Sequence, residues 1–316
     1  MHCISLESLN PFFNLAVEEY LLKNRNEDFL ILSINNTSVI VGKHQVANRE
    51  ADTRFVSENN IPVIRRITGG GTVFHDPGNL NFSFIIQTEQ GKQVDFRKYT
   101  SPVISFLSSL GVDAKFEGKN DLKVSGLKIS GNAEHVFRNR VLHHGTLLFD
   151  ADLDLLKKSI RKDKTKYITR AVDSNPSSVM NLKDILKNIK DINDFRSLMM
   201  KWFLNNFPET ELYSLKKEEM GETELLTGSK YKSWEWNYAY GPEYSFSGSF
   251  QFNGRPYTCR LSVEEGIIRE CLFDGTDELN PIKELLVGCR HMPVEMLGVL
   301  QKGKIPIQDK EIFEFF

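Results

Sequence analysis

The stretch Arg65-Arg66-Ile67-Thr68-Gly69-Gly70-Gly71-Thr72-Val73-Phe74-His75-Asp76 constrains this chain more than any other. Residues 61–66 before the glycines and 72–75 after them both read as strands, so the triple glycine joins strand to strand. Three glycines in a row cost about 0.5–1 kcal/mol each relative to Ala in regular structure. Close approach of consecutive backbone N–H groups to phosphate oxygens is one benefit that offsets this. Two arginines directly before the glycines add fork-shaped donors for phosphate or carboxylate. A flexible turn flanked by solvated arginines is the plainer alternative. Two common nucleotide sites are excluded. No G-x-x-x-x-G-K-[ST] occurs, since Gly118-Lys119 is followed by Asn120. A dinucleotide fingerprint needs strand, glycines and then helix, which this placement does not offer.

A second group lies at 118–133. Ser125-Gly126 reads as a two-residue hairpin turn, which sets Val124 against Leu127 and Lys123 against Lys128. Like charges directly opposite repel, so the pair implies either a bound anion or solvated tips that splay apart. Lys128, between Leu127 and Ile129, is the better candidate for a fixed positive charge. Asp121 beside Asn120 suits Mg²⁺, which takes one or two carboxylates plus phosphate and water; the alternative is a turn cap. His143 and His144 are adjacent on a strand and point to opposite faces. One therefore packs while the other is exposed or lines a pocket. Glu18-Glu19 reads as a solvated helix face, and Lys43-His44 is placed near the glycines. Trp234 and Trp236 read as packing between domains.

Charge nearly cancels over the 316 residues, 40 basic against 42 acidic. That argues against a general nucleic-acid binder. Cys3, Cys259, Cys271 and Cys289 have no zinc spacing, and they fit a reduced, cytoplasmic setting. Neither a membrane span nor a secretory signal is expected, because the apolar stretches are strand-sized and MHCISLESLN has no basic-then-apolar order. Helices are expected at 11–23, 95–110 and 182–207. Short alternating strands begin at Tyr244. These features divide the chain into a large domain at 1–237, a linker at 238–243 and a small α+β domain at 244–316, giving an α+β fold class.

The segments NPFFNLAVEEYLL (10–22), RRITGGGTVFHDPGN (65–79), KNDLKVSGLKISGNA (119–133), HHGTLLF (143–149) and SWEWNY (233–238) resemble, in order, the lipoate–protein ligase A family. The resemblance implies a biotin/lipoate-ligase-like catalytic domain with a mixed sheet and helices, plus an accessory C-terminal domain. It implies a ligase that uses ATP and Mg²⁺ to convert lipoate to lipoyl-AMP. The lipoyl group then passes to a lysine of an acceptor: a lipoyl domain of a 2-oxoacid dehydrogenase acyltransferase subunit, or the glycine-cleavage H protein. Neither nucleic acid nor membrane is implied as a partner. Carried over residue by residue, Lys128 is the catalytic lysine. Arg65, Gly69, Gly70, Gly71, Thr72, Val73, His75, Asn79 and His144 bind ATP or lipoate, and Asn120 and Asp121 lie at the metal.

This sequence departs from the family pattern in two places. Residues 173–179 (DSNPSSV) stand where relatives carry an arginine-containing run, and this looks more like eukaryotic lipoyltransferases. Lys123 stands where relatives often carry an apolar residue. Transfer from preformed lipoyl-AMP or another lipoyl donor is therefore the alternative activity. An octanoyltransferase is a further one, but it needs a cysteine nucleophile, and Cys3 is the only cysteine before 259. A mobile loop that excludes water from the reactive anhydride is expected at 161–180.

Overall fold

The computed structural model describes the chain from Met1 to Phe316, apart from residues 90–93, 175–176, 253–254, 275–278 and 308. A mixed eight-stranded sheet organises the larger part. Its order is Glu211–Leu212, His2–Ser5, Phe29–Ile34, Asn79–Gln87, Arg140–Leu148, Leu127–Phe137, Asp121–Val124 and Lys115–Glu117. The pairs made by His2–Ser5 are parallel, and the remaining pairs are antiparallel. Leu30, Phe82, Phe84 and Leu147 pack from one face against Phe106 and Val103 of helix Phe96–Ser109 and Phe195 and Phe203 of helix Ile192–Asn206. The other face meets helix Pro11–Asn24 through Ile31, Ile85 and Leu142.

Local chemistry sets the ends of that first helix. The Asn10 side chain accepts from the amides of Phe12 and Phe13, and Pro11 occupies the first helical position, where a missing N–H is harmless. The helix buries nearly all round, including Glu18 and Glu19, which overturns the solvated-face expectation. Glu19 is neutralised by Lys23, Lys230 and the Tyr231 hydroxyl. A buried carboxylate needs such partners to remain ionised.

A three-stranded sheet, ordered Val63–Arg65, Ser38–Val41, Val73–His75, carries the triple glycine between its two outer strands. A third, antiparallel sheet contains Tyr167–Ile168, Tyr244–Phe252, Arg255–Glu264 and Ile267–Phe273, and helices Asn280–Leu286 and Pro293–Lys302 cover it. Its first strand comes from the middle of the chain: Tyr167 pairs with Phe246 and is buried in the C-terminal core.

Two expectations needed adjustment. The helix expected over 182–207 is one 3-10 turn at Leu182–Asp184 followed by Ile192–Asn206. The tryptophan segment is helical and not alternating, since Lys217–Leu226 continues into π-helical turns at Thr227–Tyr231 and Glu235–Ala239. Trp234 nevertheless packs across to the C-terminal part, against Gly266 and beneath the Arg290 guanidinium 4.1 Å from its ring centre.

Candidate active site

One cavity of about 630 Å³ lies where the large sheet, the glycine loop, the first helix and residues 172–174 converge. That volume is in the usual range for small-molecule sites. Gly70, Gly71, Thr72, Val73, His75, Asn120, Asp121, Lys128 and His144 all line it, together with Arg66 and Glu18.

Of the two arginines, Arg66 and not Arg65 reaches the cavity. Arg65 has no exposed surface, and its guanidinium is fully engaged with main-chain carbonyls. Its Nε donates to Trp236, its Nη1 to Gly42, Lys43 and Gln45, and its Nη2 to Asn237, over 2.6–3.1 Å. It therefore ties the glycine-loop sheet to the helical turns at 236–237, which corrects its assignment as an anion ligand. Arg66 donates to Thr68 Oγ1, to the Ile40 carbonyl, and through Nη2 to the carbonyls of Gly69 and Gly71. The bend of the loop is thus fixed by a cation at the cavity wall. Burial pulls both guanidinium groups down to about 10, still far above neutral, so both keep their charge.

Gly69 and Asn79 also stand outside the cavity lining. Gly69 contributes a carbonyl to Arg66. Asn79 donates to Asn81 Oδ1 at 2.8 Å, and Asn81 is the residue of that pair that faces the cavity. Gly70 has a φ of +84°, which glycine adopts without strain.

Lys128 also lines the cavity. The hairpin forms as expected, with Lys123 opposite Lys128 and with Ser125 and Gly126 both at positive φ. Such a turn matches the right-handed twist of the strands. Each lysine resolves the repulsion with its own carboxylate: Lys128 Nζ lies 2.7 Å from Asp121 Oδ1, and Lys123 Nζ lies 3.4 Å from Glu117 Oε2. The Lys128 amine lies close over Gly131, where a Cβ would stand 3.0 Å from Nζ. Gly131 thus lets the amine lie flat on the cavity wall, a role the sequence reading missed although it quoted the glycine.

The two histidines divide as strand alternation requires. His143 packs among Phe82, Phe84 and Tyr99 and bonds Glu134 at 2.8 Å. His144 faces the cavity, held by Glu18 Oε2 at Nδ1 (3.0 Å) and by Thr68 Oγ1 at Nε2 (2.8 Å). Glu18 also accepts from Ser83 at 2.5 Å. His75 takes a hydrogen bond from the Asn35 amide on Nδ1 at 2.9 Å. Its burial, with His144 and Arg66 nearby, pulls its pKa down to about 3, so it is neutral at working pH.

Val172, Asp173 and Ser174 line the cavity beside the glycine loop; Asn175 and Pro176, within the expected mobile loop and the 173–179 departure, lie outside the described residues. Ser174 Oγ accepts from the Thr72 amide (2.9 Å) and from Gln45 Nε2 (3.0 Å). Lys128 N donates to the Ser178 carbonyl and Met180 N donates to the Lys128 carbonyl.

No group of three or more His, Cys, Asp or Glu side chains fit for a metal occurs among the described residues. Of the three carboxylates that line the cavity, Glu18 is taken by His144 and Ser83 and Asp173 by Arg49; Asp121 alone still fits Mg²⁺ delivered with phosphates, since that ion draws most of its ligands from phosphate and water. A cysteine nucleophile has no place here. Cys3 is fully buried outside the cavity, and burial pushes its thiol up to about 11. Among the described residues no helix is long and apolar enough to cross a membrane.

Residues 10–204 match the family model for the lipoyl protein ligase A/B catalytic domain. Lipoate–protein ligase 1 of Staphylococcus aureus is 36% identical over 288 residues, which cover 89% of this chain and 88% of that protein. Among solved structures, lipoate-protein ligase A bound with ATP superposes with a TM-score of 0.64 at 26% identity, covering 75% of this chain and 97% of that one. The bi-partite lipoate protein ligase of Thermoplasma acidophilum, described with its E2 lipoyl domain, gives a TM-score of 0.64 at 26% identity, covering 75% and 95%. The chain, with its glycine loop on the three-stranded sheet and its cavity-facing lysine on the mixed sheet, therefore belongs to the lipoyl protein ligase A/B family.

Proposed function

We propose that this chain is an ATP-dependent lipoate–protein ligase whose two half-reactions share the cavity between the glycine loop and Lys128. In the first, a lipoate carboxylate oxygen attacks the α-phosphorus of ATP; the bond to the bridging oxygen breaks and pyrophosphate leaves. In the second, an acceptor lysine amine attacks the acyl carbon, the bond to AMP breaks, and the amine proton passes to solvent.

The first step joins two anions, and the residues answer that problem. Lys128 Nζ is a compact charge able to touch both the acyl oxygen and the α-phosphate as negative charge builds. Amides of Gly70 and Gly71 and the Arg66 charge behind them hold phosphate oxygens in line. Asp121, with Asn120 beside it, would hold Mg²⁺. The ion would supply neutralising charge for the leaving pyrophosphate. His75, kept neutral by burial, and His144, tethered by Glu18 and Thr68, shape the pocket.

The observation that carries this reading is that Lys128 and the glycine loop line one cavity. An acceptor lipoyl domain fits the family, whether it belongs to a 2-oxoacid dehydrogenase subunit or to an H protein, and a reduced cytoplasm fits four free, buried thiols. The chain reads as a catalytic part at 1–237 and an accessory part at 244–316, with strand Tyr167–Ile168 lent to the second.

Lipoate-dependent exchange of labelled pyrophosphate into ATP, with Mg²⁺ and without acceptor, tests the adenylation step. Exchange supports the full ligase. Its absence, with transfer from synthetic lipoyl-AMP still proceeding, would make the chain a lipoyltransferase.

A further inference from the structure

We infer that Lys43, Lys230 and Lys23, grouped around His135, form a basic strip beside the cavity rim, on which an acceptor protein rests an acidic face while its lysine enters the cavity. The inference rests on the lipoyl transfer proposed above and names the surface that this step uses.

The strip starts at the glycine loop. Gly70 is exposed, and a Cβ there would stand 3.8 Å from the Cβ of Ala133, which lines the cavity. His135 lies two residues further along the same strand and so on the same face. Lys43 follows Gly42. Its amide donates to the Thr68 carbonyl at 2.8 Å, and its carbonyl accepts from Arg65 Nη1 at 3.1 Å. The Lys43 backbone is thereby fixed to the loop, while its ammonium has no ion-pair partner among the described residues. Lys230 and Lys23 continue the strip, and both reach Glu19, at 2.7 Å and 2.6 Å. Lys230 Nζ also stands 3.9 Å from the Trp236 ring centre, and Lys23 Nζ 5.8 Å from that of Phe137. Burial, reinforced by the charges of Lys43 and Lys23, holds the His135 imidazole down at about 4, so it is neutral. The same two charges act on Lys230.

Three ammonium groups therefore share this neighbourhood with one carboxylate, and that carboxylate is buried beneath them. The outward potential is positive in a chain whose 40 basic and 42 acidic residues nearly cancel. Grouped like charges repel, and an acidic surface laid over them relieves the repulsion. The proposed reaction requires one macromolecule, the acceptor. To insert a lysine it must lie on the ground around the rim, which is where the strip runs. Charges at such a rim set encounter rate and partner choice more than final affinity. Lys23 and Lys230 are already held by Glu19 and by the rings, so docking immobilises them at little further entropic cost. Tyr240, 46% exposed and 4.5 Å from Trp236 between ring centres, adds an apolar contact at the same edge. Nucleic acid fits less well, because three ammonium groups are few for a phosphate track. Lys23, Lys43 and Lys230 are docking residues in this scheme and touch no reacting atom.

The test uses the full chain, synthetic lipoyl-AMP and two acceptors, the apo lipoyl domain of a 2-oxoacid dehydrogenase acyltransferase subunit and an apo H protein. Lys43→Glu reverses a charge that has no internal partner. It should raise the KM for acceptor about tenfold, with kcat changed less than about threefold. Lipoate-dependent pyrophosphate exchange without acceptor should stay within about threefold of wild type, which a general loss of structure would not allow. Wild-type kcat/KM should fall as NaCl rises from about 25 to 250 mM, and the Lys43→Glu dependence should be flatter. An acceptor whose acidic residues beside the target lysine are replaced by amides should lose as much with wild type and little more with Lys43→Glu, because both changes remove one contact. Unchanged acceptor KM and salt dependence in a folded Lys43→Glu protein would overturn the strip alone. So would a loss of exchange equal to the loss of transfer, which would assign Lys43 to the nucleotide. So would Lys43-dependent binding of a single-stranded oligonucleotide with acceptor KM unchanged. A wild-type chain that transfers from lipoyl-AMP to neither acceptor would overturn the transfer reading together with the strip, so the two failures are distinguishable.

Discussion

Arg65→Lys separates a structural arginine from a substrate-binding one. Lysine keeps the charge but brings three N–H donors to a site where a planar fork makes five hydrogen bonds to carbonyls. At least two buried carbonyls lose their donor. With about 1–3 kcal/mol for each orphaned group, the loss is about 2–6 kcal/mol. At roughly 2–4 °C per kcal/mol for a chain of this size, the midpoint of thermal unfolding falls by about 4–24 °C. The helical turns at 236–237 should loosen from the small sheet at the same time, since Arg65 contacts both of their carbonyls. Circular dichroism melts give the first quantity. Pyrophosphate exchange at 15 °C, where the variant is still folded, gives the apparent ATP affinity, which should change less than threefold. A midpoint within 2 °C of wild type combined with a tenfold weaker ATP affinity would refute this and return Arg65 to the phosphates.

Three further outcomes are expected. Lys128→Ala should abolish lipoate-dependent exchange, by about 10²–10³-fold or more as for other lost charge stabilisers, while the melt stays near wild type because the strand pairing is main chain; near-normal exchange would remove Lys128 from catalysis. Gly42→Ala puts a Cβ into the carbonyl oxygen of Gly70 and should weaken ATP engagement about tenfold, whereas Gly69→Ala meets nothing within 4 Å and should be silent; equal behaviour of the two in ATP titrations would contradict the loop geometry. Stability should fall as pH drops from about 6.5 toward 4. His75 and His291 are buried and neutral when folded, with pKa values down to about 3 and about 4, so below 6.5 only the unfolded chain takes up their protons. At pH 5 each costs about 2 kcal/mol, and denaturant midpoints that stay flat between pH 7 and 5 would contradict it.

Strand alternation alone separated His143 from His144, and the structure agrees. The same rule applies to Arg65 and Arg66, but it says only that they face opposite ways. Which one faces the cavity depends on where Trp236 and Asn237 come to rest, 171 and 172 residues later, and local pattern does not carry that information. Glu18 and Glu19 were misread for a similar reason. Apart from Lys23, their partners His144, Ser83, Lys230 and Tyr231 are distant in sequence, and two adjacent acids in a helix look solvated without them. The hairpin at Ser125-Gly126 was legible because its register is set by two residues. Strands Leu127–Phe137 and Arg140–Leu148 run longer than their apolar runs suggest, because polar residues such as Asn132 and His144 occupy strand positions to line the cavity. Asn79 was placed two residues away from the side chain that lines the site, and nothing in the sequence distinguishes Asn79 from Asn81. The glycine loop and the lysine were the clearest signals because each combines an unusual composition with a fixed neighbourhood.

The strand at Tyr167–Ile168 carries a consequence for how the protein is made. Its hydrogen-bonded partners are Ser245 and Phe246, and the Tyr167 ring rests on Tyr244 and Phe246. During synthesis those partners emerge from the ribosome some 80 residues after it, once nearly the whole large sheet is already available to pair. The middle of the chain is therefore joined to the C-terminal core only late in synthesis, after residues 245–246 have been made.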